Sequence, residues 1–154
     1  MASTNEKGSA AEKYAKAWLE TQGYLCDIHP RTSTFTGKFY ISRENDFFNA
    51  ADIIGYGKED AVLVQVTDTG GEGNLAILGG NVAKRRDKLD KNFPLNPPYL
   101  HILVFLTQKQ WVHREGERRH KEYFHRAWQR EVTNSEQVVW VERKAWSNLP
   151  ITAN

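Results

Sequence analysis

Cysteine is almost absent from this sequence, because Cys26 is the only one in 154 residues. A single thiol can form no intramolecular disulfide and no cysteine-based zinc site, which suits a reducing cytosol. Long hydrophobic runs are missing as well: the opening segment, residues 1–8, is polar, and no stretch approaches the roughly 18 apolar residues that span a bilayer. We therefore expect a soluble, cytoplasmic protein that has no disulfides and no membrane contact.

The sequence has no large excess of charge of one sign, since its formal net charge is +2 at pH 7. Many proteins without a nucleic-acid partner carry a similar charge. Residues 109–130, however, contain seven Lys or Arg, three His and only three Glu. Four aromatic residues are interleaved with them, namely Trp111, Tyr123, Phe124 and Trp128. This basic segment is either a nucleic-acid contact surface or an ordinary solvated face with core aromatics behind it.

Several catalytic motifs are absent. The glycine-rich stretch at 70–73 lacks the Lys-Ser/Thr pair of a phosphate-binding loop, so ATP use is not indicated. Nothing around a Ser or around Cys26 resembles a nucleophile elbow. His113, His120 and His125 do not have the spacing of a helical His-x-x-x-His zinc site. The sequence therefore gives no support to ATPase, Ser- or Cys-nucleophile, or zinc chemistry.

Large apolar side chains are plentiful enough for one core. The hydrophobic fraction is 40%, with five Trp, six Tyr and seven Phe. A chain of this length is a common size for one domain and needs no disulfide or structural metal. We expect residues 1–146 to form a single domain and residues 147–154 to form a loose C-terminal tail.

Local patterns predict helices alternating with strands. Ser9 and Glu12 have capping-box spacing, and apolar residues then recur at helical intervals until Gly23, which predicts a first helix. A short strand is expected at 24–28, followed by a loop or a hairpin at 31–45.

The middle of the chain predicts a hairpin and a second helix. The β-rich runs 51–56 and 61–67 are separated by a turn-like tetrad. A glycine-rich segment at 69–80 precedes Asn81, a plausible N-cap for a basic helix that ends near Phe93. Further along we expect a buried central strand at 100–106, strands at 110–113 and 123–132 flanking a turn at 114–121, and either a last strand or a helix start at 138–141. These elements predict an α/β fold.

The order helix, strand, hairpin, helix, strand resembles the core of the PD-(D/E)xK nuclease superfamily. Asp52, which enters the first hairpin strand, is similar to the motif's Asp, and Gln65-Val66-Thr67 lies where the (D/E)xK triplet belongs. The resemblance implies a restriction-endonuclease-like core, in which helices flank a central mixed β-sheet. Because strand side chains alternate, residues 65 and 67 should point at one site.

The resemblance also implies a divalent metal, Mg²⁺ or Mn²⁺. Its ligands would be Asp52, the side-chain oxygen of Gln65 and the carbonyl of Val66. Gln65 in place of an acid removes a negative charge from this site. Thr67 in place of the motif's Lys removes a positive charge that orients the attacking water and stabilises the phosphate.

The nearest cations that could replace the missing Lys are Lys84 and Arg85, early in the second helix. We favour Lys84 on sequence alone. A wider similarity over residues 45–91 links the Gln-x-Thr triplet and the following Gly-Asn-Val-Ala-Lys stretch to phage and bacterial resolvase-like sequences, which makes Thr67 a family trait. Asp46 in this region either supports the metal ligands or forms a turn.

Glu12 has two interpretations. The stretch Lys7-Gly8-Ser9-Ala10-Ala11-Glu12 resembles the opening of archaeal-type Holliday junction resolvases, whose acidic residue on the first helix helps to hold a metal-bound water. The alternative is that Glu12 only completes a capping box with Ser9.

The resemblance implies an endodeoxyribonuclease that hydrolyses phosphodiester bonds in branched DNA during recombination, as Holliday junction resolvases do. The host would be bacterial or archaeal, and the gene could belong to a phage. A four-way junction requires two symmetric cuts, which implies a homodimer. The expected catalytic residues are Glu12, Asp52, Gln65, Thr67 and Lys84. The expected phosphate contacts are Arg85, Lys88, Arg114, Arg118, Arg119, Lys121 and Arg126.

Two other functions fit the same residues. A nuclease fold that has lost catalysis would bind DNA or a protein partner, and Thr67 is the best support for it. A restriction or repair nuclease would share the fold, because fold does not dictate substrate.

Overall fold

The computed structural model describes residues 4–28, 31–35, 37–38, 40–44, 46–48, 50–68 and 80–147. The tail predicted at 147–154 and the glycine-rich segment predicted at 69–80 lie almost wholly outside these residues. None of the helices in the described ranges is long and apolar enough to cross a membrane.

The first helix, α1, spans Thr4–Thr21. It ends as the sequence predicts, because Gly23 adopts a φ of 98°, a left-handed conformation that glycine enters without steric cost. Its start differs from the prediction. Ser9 lies inside the helix, so the capping-box interpretation of Ser9 and Glu12 is wrong. Ser and Glu three residues apart also occur within helices, and the pattern alone does not distinguish the two positions.

A six-stranded mixed sheet forms the centre of the molecule, which confirms the α/β prediction. Its strands are β1 (Leu25–Ile28), β4 (Ile53–Tyr56), β5 (Ala61–Asp68), β6 (Leu100–Val112), β7 (His120–Val132) and β8 (Val138–Glu142), in the order β1-β4-β5-β6-β7-β8. The pair β5–β6 is parallel and every other neighbouring pair is antiparallel. A separate two-stranded sheet joins β2 (Arg31–Phe35) to β3 (Tyr40–Glu44), so the segment predicted as a loop or a hairpin is a hairpin.

The strand predictions near the middle of the chain are confirmed, but those near its C-terminal end were partly wrong. β4 and β5 form the predicted hairpin, and β6 lies between β5 and β7 as expected for a buried strand. β6 does not stop at Leu106. It continues to Val112 and absorbs the separate strand predicted at 110–113, because β7 pairs with it as far as Val112↔His120. The segment predicted as a strand or a helix start is the strand β8.

The two helices cover opposite faces of the sheet. Val64 on β5 packs in one core cluster with Leu19 of α1, whereas the next residue toward the N-terminus, Leu63, packs with Leu89 of the second helix. That helix, α2, spans Gly80–Asn92. Asn81 therefore lies in its first turn and is not the N-cap that the sequence predicts. A short 3₁₀ helix, Lys144–Trp146, follows β8.

Arg130 on β7 fastens the carboxyl end of α2 to the sheet. Its guanidinium donates to the backbone oxygens of Phe93 and Leu95, each at 2.7 Å, to Asn96 Oδ1 at 3.0 Å and to Asp90 Oδ1 at 3.1 Å. Phe93 and Leu95 follow the last residue of α2, so these hydrogen bonds hold the segment that leaves the helix against β7 and satisfy its backbone oxygens. Arg130 is thus a residue of the core, although its place in the basic segment suggested a surface cation.

Candidate active site

Asp52 and Gln65 meet where β4 and β5 begin their pairing. The backbone N–H of Asp52 donates to the carbonyl of Val64 at 2.8 Å, directly before the pairing of Ile53 with Val64. Gln65 Nε2 lies 2.5 Å from Asp52 Oδ2 and 3.4 Å from the carbonyl oxygen of Val66. The backbone N–H of Val66 donates to the same Asp52 oxygen at 2.7 Å. The three residues that the sequence predicts as metal ligands are therefore in direct contact.

The site is almost closed to solvent. Asp52 is 3% exposed, Gln65 1% and Thr67 6%. Buried polar atoms nearly always have a hydrogen-bond partner, because an unmet one loses its interaction with water. Gln65 Oε1 is buried and has no such partner among the described residues. An unmet oxygen beside a buried carboxylate favours a positively charged group at this position.

Gln65 and Thr67 lie on the α2 face of the sheet. Alternate side chains of a strand point to opposite faces, and on β5 Val64 and Val66 belong to the α1 cluster. Leu63 belongs to the α2 cluster, so Gln65 and Thr67 share its side. The prediction that residues 65 and 67 face the same way is confirmed.

Glu12 is buried in α1, with 7% of its surface exposed. The sheet lies between α1 and the side chains of Gln65 and Thr67. Glu12 is nevertheless near the same end of the sheet. Tyr14, two residues farther along α1, hydrogen-bonds His125. His125 pairs across the strands with Thr107, which in turn pairs with Asp68 at the end of β5. Its role beside a metal-bound water stays a prediction.

His125 is a core residue in this structure. It is fully buried, stacks on Phe105 with ring centroids 4.3 Å apart and contacts the Tyr14 hydroxyl at 2.7 Å. Burial lowers the pKa of His125 to about 4, so the ring is neutral at pH 7. Sequence reasoning considered this histidine only as a zinc ligand. The alternation of polar and apolar residues along β7 was too weak a signal to place it inside.

The cations of α2 differ in their surroundings. Lys84 is exposed, whereas Arg85 is half-buried, and Lys88 Nζ pairs with Asp46 Oδ2 at 2.6 Å. At about 100° per residue, Arg85 points about 40° from the buried Leu89, whereas Lys84 points about 140° away from it. Neither Lys84 nor Arg85 has an ion-pair partner among the described residues.

The side of α2 that carries Lys88 faces the segment leading into Asp52. Asp46, the partner of Lys88, precedes Phe47, whose backbone N–H donates to the carbonyl of Ala51 at 2.8 Å. Arg85 lies between this side and the core side of the helix. Arg85 is therefore turned more toward the sheet than Lys84, and the catalytic role predicted for Lys84 stays a prediction.

The predicted phosphate contacts of the basic segment fall into two groups. Arg126 pairs with Glu142 through Nε at 2.7 Å and packs over Trp128, and Arg114 pairs with Glu122 at 2.8 Å. These two cations are already neutralised by carboxylates. The second group, Arg118, Arg119 and Lys121, is exposed near the tip of the β6–β7 hairpin.

Comparisons with known proteins do not identify a relative. No protein-family model matches the chain, and no curated protein or solved structure is significantly similar to it. Within the described ranges, no group of three or more His, Cys, Asp or Glu side chains is arranged to hold a metal ion. Among the described residues, Asp52 supplies the one carboxylate of its contact with Gln65 and Val66.

Proposed function

We propose that this protein is a metal-dependent endonuclease that hydrolyses phosphodiester bonds in branched DNA, resembling the Holliday junction resolvases of the PD-(D/E)xK superfamily. The observation that carries the proposal is the direct contact of Asp52, Gln65 and Val66 at one buried position. The element order supports it, because α1, β1, the β4–β5 hairpin, α2 and the parallel strand β6 come in the order expected of a restriction-endonuclease-like core, with the β2–β3 hairpin between β1 and β4.

The residues fit a divalent cation such as Mg²⁺ or Mn²⁺. Asp52 offers a carboxylate, Gln65 an amide oxygen and Val66 a backbone carbonyl, and Mg²⁺ prefers oxygen ligands of these kinds. The amide of Gln65 turns its nitrogen to Asp52 here, and rotation by half a turn exchanges nitrogen and oxygen. Gln65 Oε1, which has no partner among the described residues, would then be available as a ligand to a cation held by Asp52.

When bound, the cation would polarise the phosphate and lower the pKa of a coordinated water. Asp52 would hold it and balance its charge, while Gln65 would orient it without adding charge. Thr67 lies on the same face but can supply only a hydroxyl. A cation must therefore stabilise the charge that develops on the phosphate, and we assign that task to Arg85, because it is half-buried and turned toward the sheet whereas Lys84 is exposed.

Arg85→Gln is expected to lower the single-turnover cleavage rate by about a hundredfold or more, because loss of one transition-state donor has an effect of this size. Lys84→Gln, which removes an exposed neighbouring cation, is the matched control and should change the rate only slightly. DNA affinity should be nearly unchanged in both variants, and anisotropy of labelled DNA measures it.

A large effect of Lys84→Gln with none of Arg85→Gln would reverse this assignment and restore the sequence-based choice. Equal, small losses would leave both as solvated cations. Thr67→Lys in the Arg85→Gln background is the complementary test, since it returns a positive charge to the strand. Recovery of cleavage in that double variant would show that the two positions serve one function.

DNA binding is expected to weaken steeply with salt. The exposed cations Arg118, Arg119 and Lys121 would neutralise phosphates, and log affinity falls with log salt by about 0.9 per phosphate contacted. Titrations of a four-way junction between low and physiological salt measure the slope. A matched control is Lys58→Gln, an exposed cation in the β4–β5 turn, which should not alter it. An affinity independent of salt would contradict phosphate contact by these residues.

A nuclease fold without catalysis is the second candidate function. The hydrogen bond from Gln65 favours it, because the amide N–H satisfies an oxygen of the buried Asp52 carboxylate without any metal. Incubation of the purified protein with four-way, flap, single-stranded and duplex DNA, in Mg²⁺, Mn²⁺ or chelator, separates the candidates. Tight binding with no cleavage of any substrate supports the second, and preference for duplex sites would indicate a restriction or repair enzyme.

The proposal includes a homodimer, because two symmetric cuts at a junction need two sites related by a two-fold axis. Analytical ultracentrifugation with and without the junction measures this directly. A protein that stays monomeric on the junction would argue for a substrate with one cut, such as a flap.

A further inference from the structure

The hairpin of β6 and β7 extends beyond the rest of the sheet. β5 pairs with β6 only as far as Thr107, and β8 pairs with β7 only over residues 128–132. In the part of the chain that the structure describes, residues 108–112 pair only with residues 120–124. We call residues 108–124 the ribbon. It projects past the carboxyl end of β5, the end of the sheet where Gln65 and Thr67 lie.

One face of the ribbon alternates cations with aromatic rings. Cross-strand partners point to the same side, and Lys109 pairs with Tyr123 while Trp111 pairs with Lys121. Lys109 Nζ lies 5.0 Å from the centroid of Tyr123, and Lys121 Nζ lies 5.2 Å from that of Trp111. Arg119 places its guanidinium carbon 4.5 Å from the Trp111 centroid. Tyr123 therefore has one cation over its ring and Trp111 has two.

The two rings differ in how they are held. Tyr123 stacks on Tyr14 of α1 with centroids 4.8 Å apart and planes 23° apart, which anchors the base of the ribbon to the helix. Trp111 lies farther out and is 50% exposed, whereas Trp128 on the same hairpin is buried. A large ring left half in water, with cations beside it, is suited to stacking on a flat partner that carries negative charge.

Negative charge is held on the other face of the ribbon. Glu122 alternates with Lys121 and Tyr123 along β7, so its side chain points away from them. Its carboxylate is hydrogen-bonded by Arg114 and His120, which lowers the pKa of Glu122 to about 2. The Trp111 face is thus left with cations, and a strand of nucleic acid would not meet this carboxylate there.

We propose that the Trp111 face of the ribbon binds single-stranded DNA, with an unpaired base stacked on Trp111 and phosphates contacting Lys109, Arg119 and Lys121. Aromatic platforms within a basic groove bind single strands in this way, because every base has a π-face. The inference rests on the proposed function and, among branched DNAs, favours those that carry unpaired bases, such as flaps, over a fully paired four-way junction. The face lies on the α1 side of the sheet, so it would hold DNA apart from the phosphate that is cut.

The test is a binding measurement in chelator, which removes cleavage from the result. Anisotropy of a labelled oligothymidylate of about 15 nucleotides is compared with that of a duplex of equal length. Trp111→Ala is expected to weaken oligothymidylate binding about tenfold and duplex binding less than about twofold, since stacking on one base has an effect of this size. Trp111→Phe should retain most of the affinity.

The matched control is Tyr56→Ala, which removes an exposed ring at the opposite end of the sheet and should leave both affinities unchanged. Arg119→Gln should reduce the salt slope for oligothymidylate by about one phosphate contact, whereas Trp111→Ala should not. This difference separates stacking from charge. In a cleavage assay Trp111→Ala should raise KM more than it lowers kcat, because the ring is remote from Asp52.

Normal oligothymidylate binding by Trp111→Ala would overturn the inference. Equal losses of affinity of this variant for single strand and duplex would do the same, and so would a wild-type protein that binds only duplex. These results leave the proposed nuclease untouched if Asp52→Asn still abolishes cleavage. Conversely, a tenfold loss by Trp111→Ala in a protein that cuts no DNA would support the single-strand surface and count against the nuclease.

Discussion

Asp52→Asn is expected to reduce metal-dependent cleavage of branched DNA by about a thousandfold or more, because a cation that polarises the phosphate contributes several kcal/mol to the transition state. The substitution removes the only carboxylate of the Asp52–Gln65–Val66 contact. It keeps a side-chain oxygen that can accept the hydrogen bond from the Val66 N–H. Folding and DNA binding should therefore persist. Single-turnover assays in Mg²⁺ and in Mn²⁺ measure the rate.

Asp27→Asn is a suitable control, since it neutralises an exposed carboxylate on the neighbouring strand β1 and should leave the rate unchanged. Asp52→Ala is less suitable, because it also changes the stability of the protein. It leaves the Val66 N–H and the Gln65 amide buried without their acceptor, at about 1–3 kcal/mol for each group. Full activity of a folded Asp52→Asn protein would show that Asp52 is not part of the active site. Gln65→Glu should lower the metal concentration needed, because it adds a second carboxylate.

Arg130→Met is expected to lower the free energy of unfolding by about 2–4 kcal/mol, because each buried polar group left without its hydrogen-bond partner costs about 1–3 kcal/mol. The Arg130 side chain is 1% exposed. Its loss leaves the carbonyls of Phe93 and Leu95 at the end of α2 without this donor. Urea denaturation followed by tryptophan fluorescence measures the change.

Arg143→Met is the matched control, because Arg143 lies on the surface and its Nη1 is 3.5 Å from Glu131 Oε1. Exposed pairs of this kind contribute about 0–1 kcal/mol. Arg130→Lys should destabilise by an intermediate amount, since Lys keeps the charge but cannot reach several acceptors with one planar fork. Equal stability of Arg130→Met and Arg143→Met would show that the contacts at the end of α2 do not stabilise the fold.

The sequence predictions that the structure confirms are those based on residues close together in the chain. The apolar spacing in α1, the turn between β4 and β5 and the apolar run of β6 are each patterns of a few neighbouring residues, so the sequence alone reveals them. The same holds for part of the site, because the period of two along β5 is enough to put Gln65 and Thr67 on one face. Helix starts were less certain, since the polar residues around Ser9 and Asn81 suit a cap and a first turn equally well.

The tertiary structure decided everything that depends on which distant segments meet. The β4–β5 hairpin brings Asp52 into contact with Gln65, which lies 13 positions away in the chain. Pairing with β7 extended β6 past the end of its apolar run.

The roles of the cations depended on the fold in the same way. Arg130 and the equally basic Arg119 are close in sequence, yet Arg130 is buried against α2 and Arg119 is exposed over Trp111. The sequence by itself determined the fold class, most of the elements and the residue types at the candidate site. Which charges are neutralised and which remain for a ligand was decided only by packing, because an ion pair forms between side chains that no local pattern relates.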